Sequence, residues 1–185
     1  MTVAFDPSRI FQTVDFFGSH LEAILALCAL FLTIYQSLLT RKHNRLSVKP
    51  KLSSFTDFQR PFNSTIIYSV KVVNRGLGPA YINRFRIIYE DKEYEITEIE
   101  HIHALVLKEF GGQLDGAQSY YGFLRKGAVL GNADSFQIAN LFLSVANDDE
   151  ARLIPSRIAK FNMIMDYESA YKEKDSYDTR RDVDA

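Results

Sequence analysis

The chain has 185 residues, 46% apolar and 24% charged, with 22 Lys+Arg against 23 Asp+Glu for a net charge of −1. That length suits one domain with a real core plus a short accessory segment, and the composition excludes a wholly disordered or multi-pass membrane chain. The balance of charge removes a global case for nucleic-acid binding, and the single cysteine excludes an internal disulfide or a Cys-rich zinc cluster.

Residues 1–20 read as an extracytoplasmic lead-in. Asp6-Pro7 suits a helix start, and Ile10, Val14 and Phe17 share one helical face. The stretch is either an amphipathic helix at a membrane interface, with Gly18-Ser19 as a hinge, or a disordered lead. From Ala23 to Leu39 the chain runs AILALCALFLTIYQSLL without a charge, roughly 26 Å of helix against a hydrocarbon core of ~30 Å. Leu21 and Thr40 extend it to 21–40, with Glu22 and Arg41 at the interfaces. Buried helices of soluble domains are usually amphipathic, whereas this one is apolar over most of its circumference, which predicts a transmembrane helix. A cleaved signal peptide fits poorly: Asp6, Asp15 and Glu22 precede or enter the apolar run against a lone Arg9, and no A-x-A pattern follows it.

Arg41, Lys42, Arg45, Lys49 and Lys51 come next with no acidic residue among them, a basic juxtamembrane linker over 41–51. The positive-inside rule then predicts an N-terminus outside and residues 41–185 in the cytoplasm. These five side chains are expected to contact anionic lipid headgroups, and the lack of cysteine beyond Cys28 agrees with a reducing compartment. Within the span, Glu22, Ala26, Ala29, Thr33, Gln36 and Thr40 recur at spacings of 4, 3, 4, 3 and 4, a stripe of small and polar residues. It predicts either self-association of helices or docking on another membrane helix, the alternative being a lone helix whose Thr hydroxyls bond their own i−4 carbonyls.

Beyond the linker, residues 52–177 read as an antiparallel Ig-like β-sandwich. Ser64–Val73 alternates, Asn74–Ala80 is a Gly- and Pro-bearing turn, and Tyr81–Tyr89 with Glu93–Thr97 forms a hairpin across Glu90-Asp-Lys92. Glu98–Phe110 switches to helical spacing, with Gly111-Gly112 as a stop, and is the one convincing helical insertion. Further strands are expected at Tyr120–Leu124, Ser135–Ser144 and Arg157–Glu168, with a short helix from Asn147 ending before Pro155. Ser169–Tyr177 reads as a last hairpin arm and 178–185 as a flexible tail. A βαβ parallel sheet is the runner-up, and it would need more helices than the pattern offers.

Catalytic signatures are absent: Gly76-Leu-Gly78 lacks the third glycine of a phosphate loop, and no G-x-S-x-G occurs. His101-x-His103, beside Glu98 and Glu100, is the candidate metal cluster, but a helix would point the two rings about 200° apart. Asp148-Asp149-Glu150 either holds a divalent cation or marks a helix N-terminus. Arg75, Arg84 and Arg86 form either a local phosphate patch or a solvated sheet face, since residues 52–185 hold 16 basic against 20 acidic side chains. No cofactor or metal and no direct nucleic-acid contact is expected.

HNRLSVKPKL after the apolar run, VVNRGLGPAYI and DYESAYKEK together resemble small bacterial membrane proteins with one N-terminal anchor and a cytoplasmic Ig-like sandwich. The V-x-N-x-G-x-GPA-x-I turn is similar to that of CARDB-like modules, and the layout resembles membrane-anchored effectors of antiphage defence systems such as some retrons. The resemblance implies a toxin-like, non-enzymatic effector in the bacterial inner membrane, restrained by partner proteins on its sandwich and perturbing the membrane when released. Thr33, Gln36 and Thr40 are a thin polar supply for a pore. The alternative is a passive tethered adaptor whose sandwich recruits a partner protein.

Overall fold

The computed structural model describes the backbone of residues 7–62 and 64–184, and side chains within 18–62 and 64–181 except that of residue 19. The chain divides into two units, Met1–Leu46 and Ser47–Ala185. The first is a helix, α1 (Pro7–Ser47), unbroken through Gly18 and Ser19, where a hinge was expected. It also continues past Arg41, Lys42 and Arg45, where the sequence suggested a linker. No proline lies between Pro7 and Pro50, and a residue preceding proline is steered away from helical dihedrals, so the helix has its first strong reason to stop only just before Pro50. The predicted Ile10, Val14 and Phe17 face concerns side chains outside the described residues, as does Asp6. Within α1, His20–Ser47 is long and apolar enough to cross a membrane, and none of it is buried.

The second unit is mainly β. Its elements run β1 (Leu52–Phe62), β2 (Thr65–Asn74), β3 (Ala80–Tyr89), β4 (Lys92–Glu95), α2 (Ile99–Phe110), β5 (Tyr120–Tyr121), β6 (Val129–Leu130), β7 (Ser135–Ser144), α3 (Asp148–Ile158), β8 (Phe161–Glu168) and β9 (Lys174–Asp178), then a 3-10 turn over Thr179–Asp184. One sheet has the order β1-β2-β7-β5, the other β4-β3-β8-β9 with β6 also on β3. Every strand pair is antiparallel, so the parallel alternative falls. Ile66 and Val72 of β2 and Leu141 and Leu143 of β7 meet Ile82, Phe85, Met163 and Met165 of β3 and β8 in one sandwich-like core. Each such buried side chain contributes about 1.5–3 kcal/mol against the entropy of ordering the chain.

Several boundaries differ from the sequence reading, each for a local reason. The expected insertion is α2, and the short helix expected from Asn147 is present as α3 but runs longer than expected. Asn147 caps α3 by accepting from the Glu150 N–H at 2.9 Å, and Asp148, Asp149 and Glu150 set negative charge in its first turn. Pro155 sits inside α3 rather than beyond it, so the helix reaches Ile158 and the following strand begins at Phe161 instead of Arg157. β1 went unread because its sequence, LSSFTDFQRPF, lacks apolar alternation. The start of the expected tail is tied down: Asp178 ends β9 buried, Arg180 grips its carboxylate at 2.6 Å, and Thr179 accepts from the Met163 N–H at 2.9 Å.

The turn after β2 is organised by one side chain. Asn74 is fully buried, its Oδ1 accepting from the N–H groups of Lys51 (3.1 Å) and Gly76 (2.9 Å). Its Nδ2 donates to the carbonyls of Gly78 (2.7 Å), Leu130 (3.0 Å) and Gly131 (3.1 Å). The loop thereby closes over the incoming segment 48–51. A Cβ on Gly76 would run into the Lys51 nitrogen and Lys49 carbonyl, and one on Gly78 into the Val48 carbonyl, all backbone atoms with no room to yield. Gly78→Ala should therefore loosen segment 48–51 and speed tryptic cleavage after Lys51 several-fold; an unchanged digestion rate would show the clamp to be dispensable.

Candidate functional site: an apolar cleft and an unpartnered helix

The two sheets do not close on each other everywhere. Leu52 of β1 is buried in the core, so Ser54 and Thr56, two and four residues on, share its inward face. These short polar side chains stand where a core strand would place Val or Ile, and a cleft of about 1190 Å³ remains between the sheets. Phe85 and Ile87 of β3, Val106 and Phe110 of α2 and Leu141 of β7 line it. Tyr68 of β2 is a further wall residue, its hydroxyl pushed up to about 12 by burial. The free edge of β1 is fastened at its start, where the Ser54 N–H donates to the Tyr177 hydroxyl at 2.7 Å and the Tyr167 hydroxyl meets the Leu52 backbone, and near its end, where Arg60 pairs with Asp148 at 2.6 Å.

Beyond the α2 side of the cleft lies a buried polar cluster that the sequence reading missed. Glu109 of α2 accepts from the Tyr89 hydroxyl at 2.7 Å, Arg157 Nε at 2.8 Å and Lys160 Nζ at 3.0 Å. Burial opposes its ionisation, but the bonds from Arg157, Tyr89 and Lys160 outweigh that and bring its carboxyl from 4.5 down to about 2. The same bond to Glu109, with burial, pushes Tyr89 up to about 12. The arrangement joins α2, β3 and the end of α3. One signal was present: Glu109 falls in helical phase with Ile102, Leu105 and Val106, an acid on the apolar face.

The sequence-predicted residues separate into two sets. Glu22, Ala26, Ala29, Thr33, Gln36 and Thr40 all lie exposed on α1, within an arc of roughly 80° at ~100° per residue. The Thr33 hydroxyl donates to the Ala29 carbonyl at 2.8 Å, inside its own helix. Arg41, Lys42 and Arg45 also lie on α1, whereas Lys49 and Lys51 belong to the sandwich unit, Lys49 pairing with Asp175 at 3.6 Å. Of the arginines considered as a patch, Arg84 meets Glu95 at 3.4 Å, and Arg86 meets Glu93 and both oxygens of Asp166. Arg75 stands apart on the cleft. His101 and His103 are exposed on α2, and among the described residues no three His, Cys, Asp or Glu side chains gather as a metal site.

Fold and site thus define a mainly β, sandwich-like domain with a cleft, preceded by a long apolar helix. No family model, curated protein or solved structure matches the chain.

Proposed function

We propose that this chain is a membrane-anchored, non-enzymatic effector that acts through protein contacts and membrane perturbation, in the manner of the antiphage effectors it resembles. The observation that carries the reading is α1: Ile24, Leu27, Phe31, Ile34 and Leu38 are each about half exposed or more. Water is a poor environment for such a helix, and a bilayer a good one. In this reading α1 crosses a bacterial inner membrane with its N-terminus outside, and Arg41, Lys42 and Arg45 hold its cytoplasmic end. The anchors associate along the Glu22-to-Thr40 face, and the cytoplasmic sandwich docks a restraining partner. We read the sandwich as Ig-like; the order β1-β2-β7-β5 against β4-β3-β8-β9 supports this, since constant-type immunoglobulin domains set four strands of that connectivity against their C, F and G strands.

Induced expression of the full chain in a bacterial host, with growth and membrane potential followed together, tests the reading. Depolarisation with growth arrest is expected; a polarised, growing culture with the protein confirmed in the membrane would overturn it. Gln36→Leu should weaken the arrest and reduce cross-linked dimers while insertion persists, because lipid cannot satisfy a primary amide. Thr33→Val should change little, its hydroxyl being bonded already within α1. That internal bond also favours a second reading, a passive adaptor. Exchange of residues 21–40 for an unrelated membrane helix would leave an adaptor working and would silence an effector.

A further inference from the structure

We propose that the folded sandwich docks one of its ends on an anionic phospholipid surface, through basic side chains around three turns and the apolar tips of two of them. Strand pairing defines that end. Leu52 lies opposite Asn74, Tyr81 opposite both Val129 and Glu168, and Glu168 opposite Lys174. These registers gather the entry segment 48–51 with the turns 74–79, 125–128 and 169–173. Backbone bonds tie them: the Arg75 N–H donates to the Lys51 carbonyl, that of Gly127 to Ile82 and that of Ala133 to Asn74.

Charge is divided along the domain. Residues 48–52, 74–81, 125–135 and 168–175, which build this end, carry seven basic against four acidic side chains, whereas the remainder of 52–185 carries 11 against 16. Of the four acids, Asp175 pairs with Lys49 and Asp134 accepts from the Gly131 N–H. Lys51, Arg75, Arg125, Lys126, Lys172 and Lys174 are exposed, and among the described residues none of them makes an ion pair. Six unmatched cations on one end of an otherwise acidic domain suit a surface of spread phosphate charge.

The turn tips select a bilayer over a soluble polyanion. Leu77 is 66% exposed, on a turn fixed by Gly76 and Gly78, which lie against the backbone of Val48 to Lys51. Tyr171, 49% exposed, tops the 169–173 turn, closed by bonds from the Lys172 N–H to Ser169 and from the Ser169 N–H to Glu173. A leucine and a tyrosine held this way suit the layer between headgroups and acyl chains, where the apolar body is buried and the hydroxyl stays wet. A nucleic-acid duplex would leave Leu77 in water and be repelled by the acidic remainder. This docking rests on the anchored reading above, since the chain passes from α1 into this end through segment 48–51.

The chain contains no tryptophan, so each single substitution places one indole at a chosen point. Full-length Tyr171→Trp is placed in nanodiscs holding a phospholipid brominated near its headgroup, whose bromines quench indole emission on contact. Quenching is expected in discs rich in phosphatidylglycerol, and several-fold less in phosphatidylcholine alone, at high salt, or with Arg75→Glu and Lys126→Glu combined. Leu153→Trp, an exposed position on α3 between the far ends of β7 and β8, should stay unquenched. Equal quenching at Leu153→Trp, in phosphatidylcholine, or with the charge reversals would overturn the proposal. Tyr35→Trp reports α1 separately. Quenching there but not at Tyr171→Trp leaves the anchor standing and sinks the docking, whereas no quenching at either sinks the anchored reading and the docking with it.

Discussion

Asn74→Ala should lower the stability of the sandwich by about 4 kcal/mol or more, enough to unfold much of a marginally stable domain. The substitution removes an acceptor for two N–H groups and two amide hydrogens shared among three carbonyls, of which that of Gly131 keeps the Asp134 N–H at 3.3 Å. Water reaches this fully buried position poorly, so the desolvation cost of those groups is not recovered. Asn74→Asp separates the two halves of the role. A carboxylate still accepts from Lys51 and Gly76 but repels the carbonyls of Gly78, Leu130 and Gly131, so it should be nearly as damaging. Urea denaturation followed by circular dichroism measures both; a loss below about 1 kcal/mol for Asn74→Ala would mean that the loop reorganises around the gap.

Glu109 should make the domain acid-sensitive. Its carboxyl titrates at about 2 when folded against 4.5 for the ordinary group, so its contribution is complete above pH 4.5 and is lost as pH falls toward 2. The shift corresponds to on the order of 3 kcal/mol, an upper figure because Lys160 is 41% exposed and its attraction is screened. Glu109→Gln should remove that acid slope and cost about 3 kcal/mol near neutrality, since Arg157 would stay partly buried without its counter-charge. Tyr89 acts from the other side: held neutral up to about 12, it gives stability that is present below pH 10 and lost between 10 and 12. Denaturation midpoints from pH 2 to 8 for the native chain and Glu109→Gln check the acid limb; parallel curves would exclude Glu109 as its source.

The strands with strong alternation were legible. β3 and β7 were read almost to the residue, because one face of each is packed into the core and its side chains had to be apolar. β1 was illegible for the converse reason: Ser54 and Thr56 face an open cleft, so no burial requirement shaped them into a pattern. β5 falls within the strand expected at Tyr120–Leu124 but is only two residues long, and β6, also two residues, is set by the strand it pairs with and leaves no periodic signal. Pro155 misled because its missing N–H usually ends a helix, yet α3 continues one turn, with the Ser156 hydroxyl bonding the Leu153 carbonyl. The cleft itself could not be read, since its walls are side chains that look like ordinary core residues, brought to a common void only by the spacing of two sheets. The stripe on α1 was legible because helical phase alone fixes it.

The fastening of β1 sets an order of events during synthesis. Ser54 is among the earlier residues of the sandwich to be made, and its hydroxyl partner Tyr177 follows 123 positions later. This bond to β9 therefore forms only after nearly all of the sandwich has been made, whereas α1 is synthesised first. Whatever α1 engages, it can engage before this last fastening of the sandwich is made.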